Sequence, residues 1–214
     1  MRGRLLLVGA GDFAREVLWH VSELPADQRK WDRVELLDDN PEAARARFQR
    51  YAIELPLGST SEYTPRENDR IVCTIGDPAS KLDVCERLRA KGAHFANIIH
   101  PSVVIGWGTT LGEGVVITRL VSLSVDVRIG DFVTINSYSG CGHDVVLEDG
   151  CTLSSHCDVT GHAHLERGVF LGSHAAVMPG VRVGAFATVA AGSVAFRNVK
   201  AGETVIGVPA KPIF

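Results

Sequence analysis

The chain is expected to fold as two domains: an α/β Rossmann-like front over residues 1–99, then a parallel β-helix of hexapeptide repeats over residues 100–214. Three observations carry this expectation. Apolar runs alternate with amphipathic stretches up to about residue 99. The grammar changes after "IIHPSV", where helical periodicity stops and glycines recur at short intervals. From Ile105 onward, every sixth residue is apolar.

Within the front, "RLLLVGAG" reads as a buried strand ending in a glycine turn, and "DFAREVLWHVSEL" as an amphipathic helix. "RVELLDDN" and "RIVCTIG" read as two further strands, and "PASKLDVCERLRAKG" as a helix with a glycine stop. Strand, helix, strand in this order implies a small parallel sheet.

In the second part the sixth-residue series runs Ile105, Leu111, Ile117, Leu123, Ile129, Ile135, Cys141, Leu147, Leu153, Val159, Leu165, Leu171, Val177, Val183, Val189 and Ala195. With 45% hydrophobic residues, such a run arises by chance roughly once in 10^5 trials. A second series four residues on, including Val115, Val121, Val127, Val133, Val145, Cys151, Cys157, Ala163, Val169, Ala175 and Val181, is mostly small or β-branched. Two inward positions per six residues describe one flat face and one corner, so three hexapeptides make an eighteen-residue triangular coil.

Composition narrows the function classes. A formal charge of −3, with Lys and Arg scattered, leaves no footprint for nucleic acid or an anionic membrane. The first apolar run is too short for a signal peptide and no later one has the length of a membrane span, so a cytoplasmic protein is expected. Five cysteines at spacings that match no zinc template read as buried thiols in a reducing compartment.

The hexapeptide pattern resembles the left-handed β-helix acyltransferases, and the whole chain resembles their NeuD/PglD-type bacterial sugar acyltransferase branch. The marks are "LLLVGAGDFAREV", "ELLDDN", "IIHPSV", "INSYSGCGHD" and "VIGVPAKPI", in that order over nearly the full length. The left hand comes from the resemblance alone, since the usual crossover rule predicts the opposite. The resemblance implies an acetyl-CoA-dependent N-acetyltransferase, a homotrimer, acting on a nucleotide-linked amino sugar for surface glycan biosynthesis.

In such a coil, residues eighteen apart stack, which places Gly161 above His143 and Asn136 one face earlier. The resemblance implies that His143 is the general base, Asp144 its orienter, the Gly161 N–H the donor facing the thioester oxygen, and Asn136 a sugar contact. Elementary chemistry agrees, because acetyl transfer to an amine needs a proton acceptor and a donor for the developing oxyanion. His162 is either a partner of this pair or a thioester contact. Ala191 and Lys211 complete the coenzyme set, although Lys211 can equally meet solvent. Cys141, in an inward position, is a packing residue rather than a nucleophile.

His156 and His174 form a vertical pair with Tyr138 beneath. The H-x-x-x-x-H pair of zinc-binding β-helix carbonic anhydrases is missing, so a polar ladder is expected and no metal. In the front domain, Gly9, Gly11 and Ala14 form a G-x-G-x-x-A turn suited to phosphate, with Asp38, Asp39 and Gly76 near a ribose or base. Asp12 and Phe13 stand where the family usually has glycine and histidine. A carboxylate at Asp12 opposes a pyrophosphate unless it turns away, and Phe13 either stacks on a base or packs the loop.

An NAD enzyme shares the glycine turn but lacks a second mononucleotide half, which argues against it. Two alternatives remain open at this level. A sugar O-acetyltransferase would use the same residues. A non-catalytic nucleotide-binding solenoid would not need His143.

Overall fold

The computed structural model describes residues 3–49, 51 and 55–213. The front domain is built on β1 (Gly3–Val8), a strand buried on both faces. Leu5 and Leu7 point into one apolar cluster, while Leu6 and Val8 point into another. The first cluster is closed by α1 (Asp12–Glu23), which contributes Ala14, Val17 and Val21. The second is closed by α3 (Pro78–Ala90), which contributes Leu82, Cys85 and Leu88. Asp77 caps α3 by accepting the Ser80 N–H at 2.8 Å, and Pro78 occupies its first turn.

The strands β2 (Trp31–Leu37), β3 (Leu57–Gly58) and β4 (Arg70–Cys73) complete a parallel sheet in the order β3-β2-β1-β4. From β1 the chain thus goes one way to β2 and the other way to β4. The helix α2 (Pro41–Gln49) and β3 have no clear signal in the sequence, since α2 is only weakly amphipathic and β3 is two residues long.

From residue 98 to residue 195 a two-residue strand begins every six residues, from β5 (Ile98–Ile99) and β6 (Val104–Ile105) to β21 (Val194–Ala195). They form three parallel sheets, the faces of a left-handed β-helix. Face I holds β6, β9, β12, β15, β18 and β21; face II holds β7, β10, β13, β16 and β19; face III begins at β5 and ends with β20. Face III is extended by β22 (Thr204–Gly207) and an antiparallel β23 (Ala210–Pro212), a hairpin that closes the top. Coils are joined by bonds such as Val116 N–H to Val133 C=O at 2.9 Å and Gly142 N–H to Val159 C=O at 2.7 Å.

Both inward series are buried, with two exceptions at the open lower end. Leu111 is half-buried and Ile105 keeps its inward register but is 43% exposed, because no coil lies beneath them. The corners demand positive φ at every sixth residue from 108 to 192, and nine of these residues, with φ between 56° and 64°, are not glycine. Each L-residue there costs about 1 kcal/mol, offset by the coil-to-coil hydrogen bonds it permits.

The front domain packs on the corner between faces II and III. Gly150, at φ 71°, leaves the room that Leu82 fills. Arg89 pairs with Glu113 and Asp131 and lies over Phe132. On the far side, Glu23 of α1 accepts from Arg119 at 2.6 Å and His100 at 3.2 Å. The central peg is Lys81, 1% exposed, whose Nζ donates to Thr152 Oγ1 at 2.8 Å, and to Thr134 Oγ1 and the Cys151 carbonyl at 3.2 Å. Three neutral oxygens from the solenoid thus satisfy the three ammonium protons.

Burial pulls Lys81 down to about 8 from its usual range, against the opposing pull of Cys73 and other nearby groups. Below pH 8 the ammonium is charged in both the folded and unfolded states, and the burial cost is fully present. Between pH 8 and about 10.5 the unfolded chain binds the extra proton, so folding stability rises with pH. Denaturant unfolding of wild type and Lys81→Met at pH 7 and pH 10 should show the wild type gaining on the variant by up to about 3 kcal/mol. A difference that does not change with pH would mean that Lys81 is not buried as an ammonium.

Candidate active site

The corner between faces I and II carries the His-Asp pair. Gly140 and Cys141 form β12, and the chain turns through Gly142, His143, Asp144 and Val145. Neighbouring side chains on an extended strand point apart, but Asp144 is at φ 59°, which folds its carboxylate back onto the preceding residue. His143 Nδ1 lies 2.8 Å from Asp144 Oδ2. The carboxylate is an acceptor, so Nδ1 carries the proton and Nε2 is left with its lone pair. The His143 hydrogen bond holds the Asp144 carboxyl below the usual carboxylate range, with the neighbouring His162 and Arg128 acting in the same direction.

One coil up, Gly161 stands against the free nitrogen. A Cβ on Gly161 would lie 2.6 Å from His143 Nε2 and 2.8 Å from Cε1, so the ring sits where any larger residue would put its side chain. Among the described residues no acceptor takes the Gly161 N–H, whereas the next amide, His162 N–H, is spent on the His143 carbonyl at 2.9 Å. An imidazole nitrogen with a free lone pair and an unspent backbone donor therefore lie side by side, with the His143 side chain 55% exposed. His162 Nδ1 is 3.8 Å from Asp144 Oδ2, and its ring meets His143 edge-to-face at 4.9 Å.

No thiol competes for the nucleophile's role. Burial pushes Cys141 and Cys151 up to about 12 and Cys157 up to about 11, and all three line the solenoid core.

Asn136, Ala191 and Lys211 are elsewhere in the chain. Asn136 and Ala191 sit at the corner between faces III and I, one whole face from His143, and Asn136 Nδ2 donates to the Leu153 carbonyl at 3.0 Å. Lys211 is exposed in β23 at the top of the solenoid, beside Arg197 and Phe196. At this second corner Tyr138, His156 and His174 stack nearly parallel, with ring centroids 4.8 and 4.6 Å apart. Their eighteen-residue spacing had indicated the stack.

In the front domain, Gly9 lies against Ile75, which brings the turn after β1 beside the turn after β4. Side chains added at Gly11 or Gly76 would meet nothing within 4 Å, so both glycines border open space at the carboxyl ends of β1 and β4. The sheet order reverses there, at the crevice where open α/β sheets bind ligands. The two acids after β2 are engaged internally. Asp38 accepts from Ala10 N–H at 2.6 Å and Asn40 N–H at 2.7 Å, and so holds the glycine turn. Asp39 accepts from Ser59, and from the backbone and hydroxyl of Thr60.

Asp12 turns out of the crevice. Its carboxylate pairs with Arg15 at 2.7 Å and reaches Arg47 at 3.7 Å, with Arg15 also bound to Tyr51. The two guanidiniums offset a charge that would otherwise oppose a phosphate. Phe13 packs against the first apolar cluster. Arg15, Arg47 and Tyr51 went unnoticed in the sequence, because nothing local links α1 to the end of α2.

Residues 4–88 match the PglD N-terminal domain family. No curated protein matches the chain in sequence. Among solved structures, PerB from Caulobacter crescentus in complex with CoA and GDP-perosamine is 27% identical, with a TM-score of 0.85 over 100% of this chain and 99% of that one. The acetyltransferase domain of PglB from Neisseria gonorrhoeae, in complex with acetyl coenzyme A, shares the fold at 22% identity and a TM-score of 0.85, over 100% of both chains. WeeI from Acinetobacter baumannii does so at 22% identity and a TM-score of 0.81, over 98% of this chain and 99% of that one. The front of this chain is therefore similar to the PglD N-terminal domain, and in fold and domain order the whole chain is similar to PerB.

Proposed function

We propose that the protein is an acetyl-CoA-dependent N-acetyltransferase that acetylates the amino group of a nucleotide-linked amino sugar, such as a 4-amino-4,6-dideoxy sugar, for surface glycan biosynthesis. The observation that carries this reading is the placement of Gly161, whose N–H no described residue accepts, against His143 Nε2. PerB, 27% identical over the full chain and solved with CoA and GDP-perosamine, supports both the donor and the acceptor class.

In this reading the sugar amine attacks the thioester carbonyl carbon directly. His143 Nε2 accepts the proton of the attacking nitrogen, and the Asp144 carboxylate stabilises the imidazolium that forms. The Gly161 N–H donates to the oxygen as charge builds on it. Acetyl-CoA serves as substrate, and no covalent enzyme intermediate is required. The diphosphate of the acceptor lies on the Gly9–Gly11 turn at the start of α1, beside Gly76, with residues 1–99 holding the nucleotide and residues 100–214 performing the transfer.

Asn136 and Ala191 belong to this site only if a second copy presents its III/I corner to the His143 of the first. A cyclic homotrimer does this three times with one type of contact. Light scattering on the purified protein should then give three times the 23.0 kDa chain mass. A monomeric protein with full activity would remove both residues from the site.

Thiol release from acetyl-CoA, with a panel of nucleotide-linked amino sugars and their hydroxyl counterparts, tests the reaction. Release should require an amino sugar and fall about 10^2 to 10^4-fold in His143→Ala. Equal release by His143→Ala would sink the mechanism, and release with only the hydroxyl series would make this an O-acetyltransferase. Gly161→Ala is a sharper probe, because its methyl displaces the tip of an exposed side chain rather than the core. It should unfold within about 0.5 kcal/mol of wild type and yet lose about 10^2-fold or more in turnover.

A further inference from the structure

Resting on the acetyl-transfer reading, we propose that His162 is a catalytic residue, the general acid that protonates the sulfur of departing coenzyme A while His143 takes the proton of the incoming amine. His162 and His143 face the same carboxylate from adjacent coils. Asp144 Oδ2 is 2.8 Å from His143 Nδ1 and 3.8 Å from His162 Nδ1, and the two rings meet edge-to-face at 4.9 Å. One carboxylate with two imidazoles is electrically neutral when one imidazole, and not both, is protonated.

The reaction keeps that balance. A new C–N bond forms between the amine and the carbonyl carbon, and the C–S bond breaks with its electron pair going to sulfur. His143 Nε2 gains the amine proton, and the His162 imidazolium gives its proton to the thiolate. The positive charge moves from one ring to the other across Asp144, the cluster's net charge is unchanged, and solvent exchange between two exposed rings resets it. A single histidine would instead accumulate an imidazolium and a thiolate together.

Placement favours the sulfur as the recipient. With the carbonyl oxygen on the Gly161 N–H, the sulfur is one bond from the carbon that the amine attacks. His162 is the residue after Gly161, on the same coil, with its backbone N–H already fixed to the His143 carbonyl at 2.9 Å. Its side chain is 66% exposed and packs against no core, so it stabilises the fold little. The other charged groups nearby are committed. Asp126 in the coil below points toward Gly108, Arg128 acts on Asp144, and His164 is turned to Glu148 and Arg182. Gly180 above adds no side chain.

The variants are His162→Asn, since Asn tolerates positive φ, and His162→Gly, which matches Gly108 and Gly180 in the same column. The first readout needs no acceptor: calorimetric binding of coenzyme A and of its desulfo analogue. Wild type should prefer coenzyme A by about tenfold, the worth of a hydrogen bond from a charged donor to sulfur, and both variants should lose that preference. The second readout is turnover. The kcat should fall by about 10^2-fold with the KM for acetyl-CoA within about threefold, and imidazole should restore rate to His162→Gly. Equal preference for coenzyme A over desulfo-coenzyme A in wild type and variants, or a change in KM alone, overturns the proposal and leaves the transferase reading intact. Failure of wild type to bind coenzyme A at all overturns the transferase reading itself.

Discussion

Everything in the second half of this protein depends on one constraint: the strand backbone must find its partners about one coil away, seventeen or nineteen residues along the chain. The strands are only two residues long, too short to hold together by their own pairing. They persist because all but the end strands of each face are flanked on both sides and because the two inward series fill a continuous core. Positive φ at every sixth residue follows from the same geometry, since the chain must turn sharply three times per coil. A solenoid of this kind repeats a position many times, and chemistry appears wherever one copy of the position departs from the rest.

The His143 corner is such a departure. The column that contains Asp144 otherwise holds Gly108, Asp126, His162 and Gly180, all in the same backbone conformation. What distinguishes 144 is the histidine before it, and what distinguishes that histidine is the glycine above. The left-handed turn that the coil requires in any case is what aims the carboxylate at the neighbouring ring. The backbone feature that turns the coil therefore also orients the His143 ring, with no additional element.

The front domain depends on the solenoid in a different way. Its apolar faces are completed by residues of the second domain, with Val116 in one cluster and Phe132 in the other. Lys81 drives a charge into that joint without a carboxylate to meet it, and only the hydroxyls and carbonyl of three neighbouring positions make it tolerable. Such a group fixes the relative setting of the domains, because any shift would strand its protons away from those oxygens. Among the described residues no helix is long and apolar enough to cross a membrane.

The solenoid was legible in the sequence because its period is short and strict, so that spacing alone predicts which residues stack. This arithmetic located His143 beneath Gly161 and aligned Tyr138, His156 and His174. β1, α1 and β4 were legible from their apolar patterns and α3 from its Asp-Pro start and glycine stop, whereas α2, β3 and the closing hairpin lacked such a signal. Tertiary structure alone decided the contacts between distant parts of the chain. It sent Asp12 to Arg15 and Arg47, spent Asp38 and Asp39 on backbone amides, and buried Lys81 against the solenoid. A repeat encodes its own neighbours at a constant offset, while contacts between different elements depend on packing that no local spacing records.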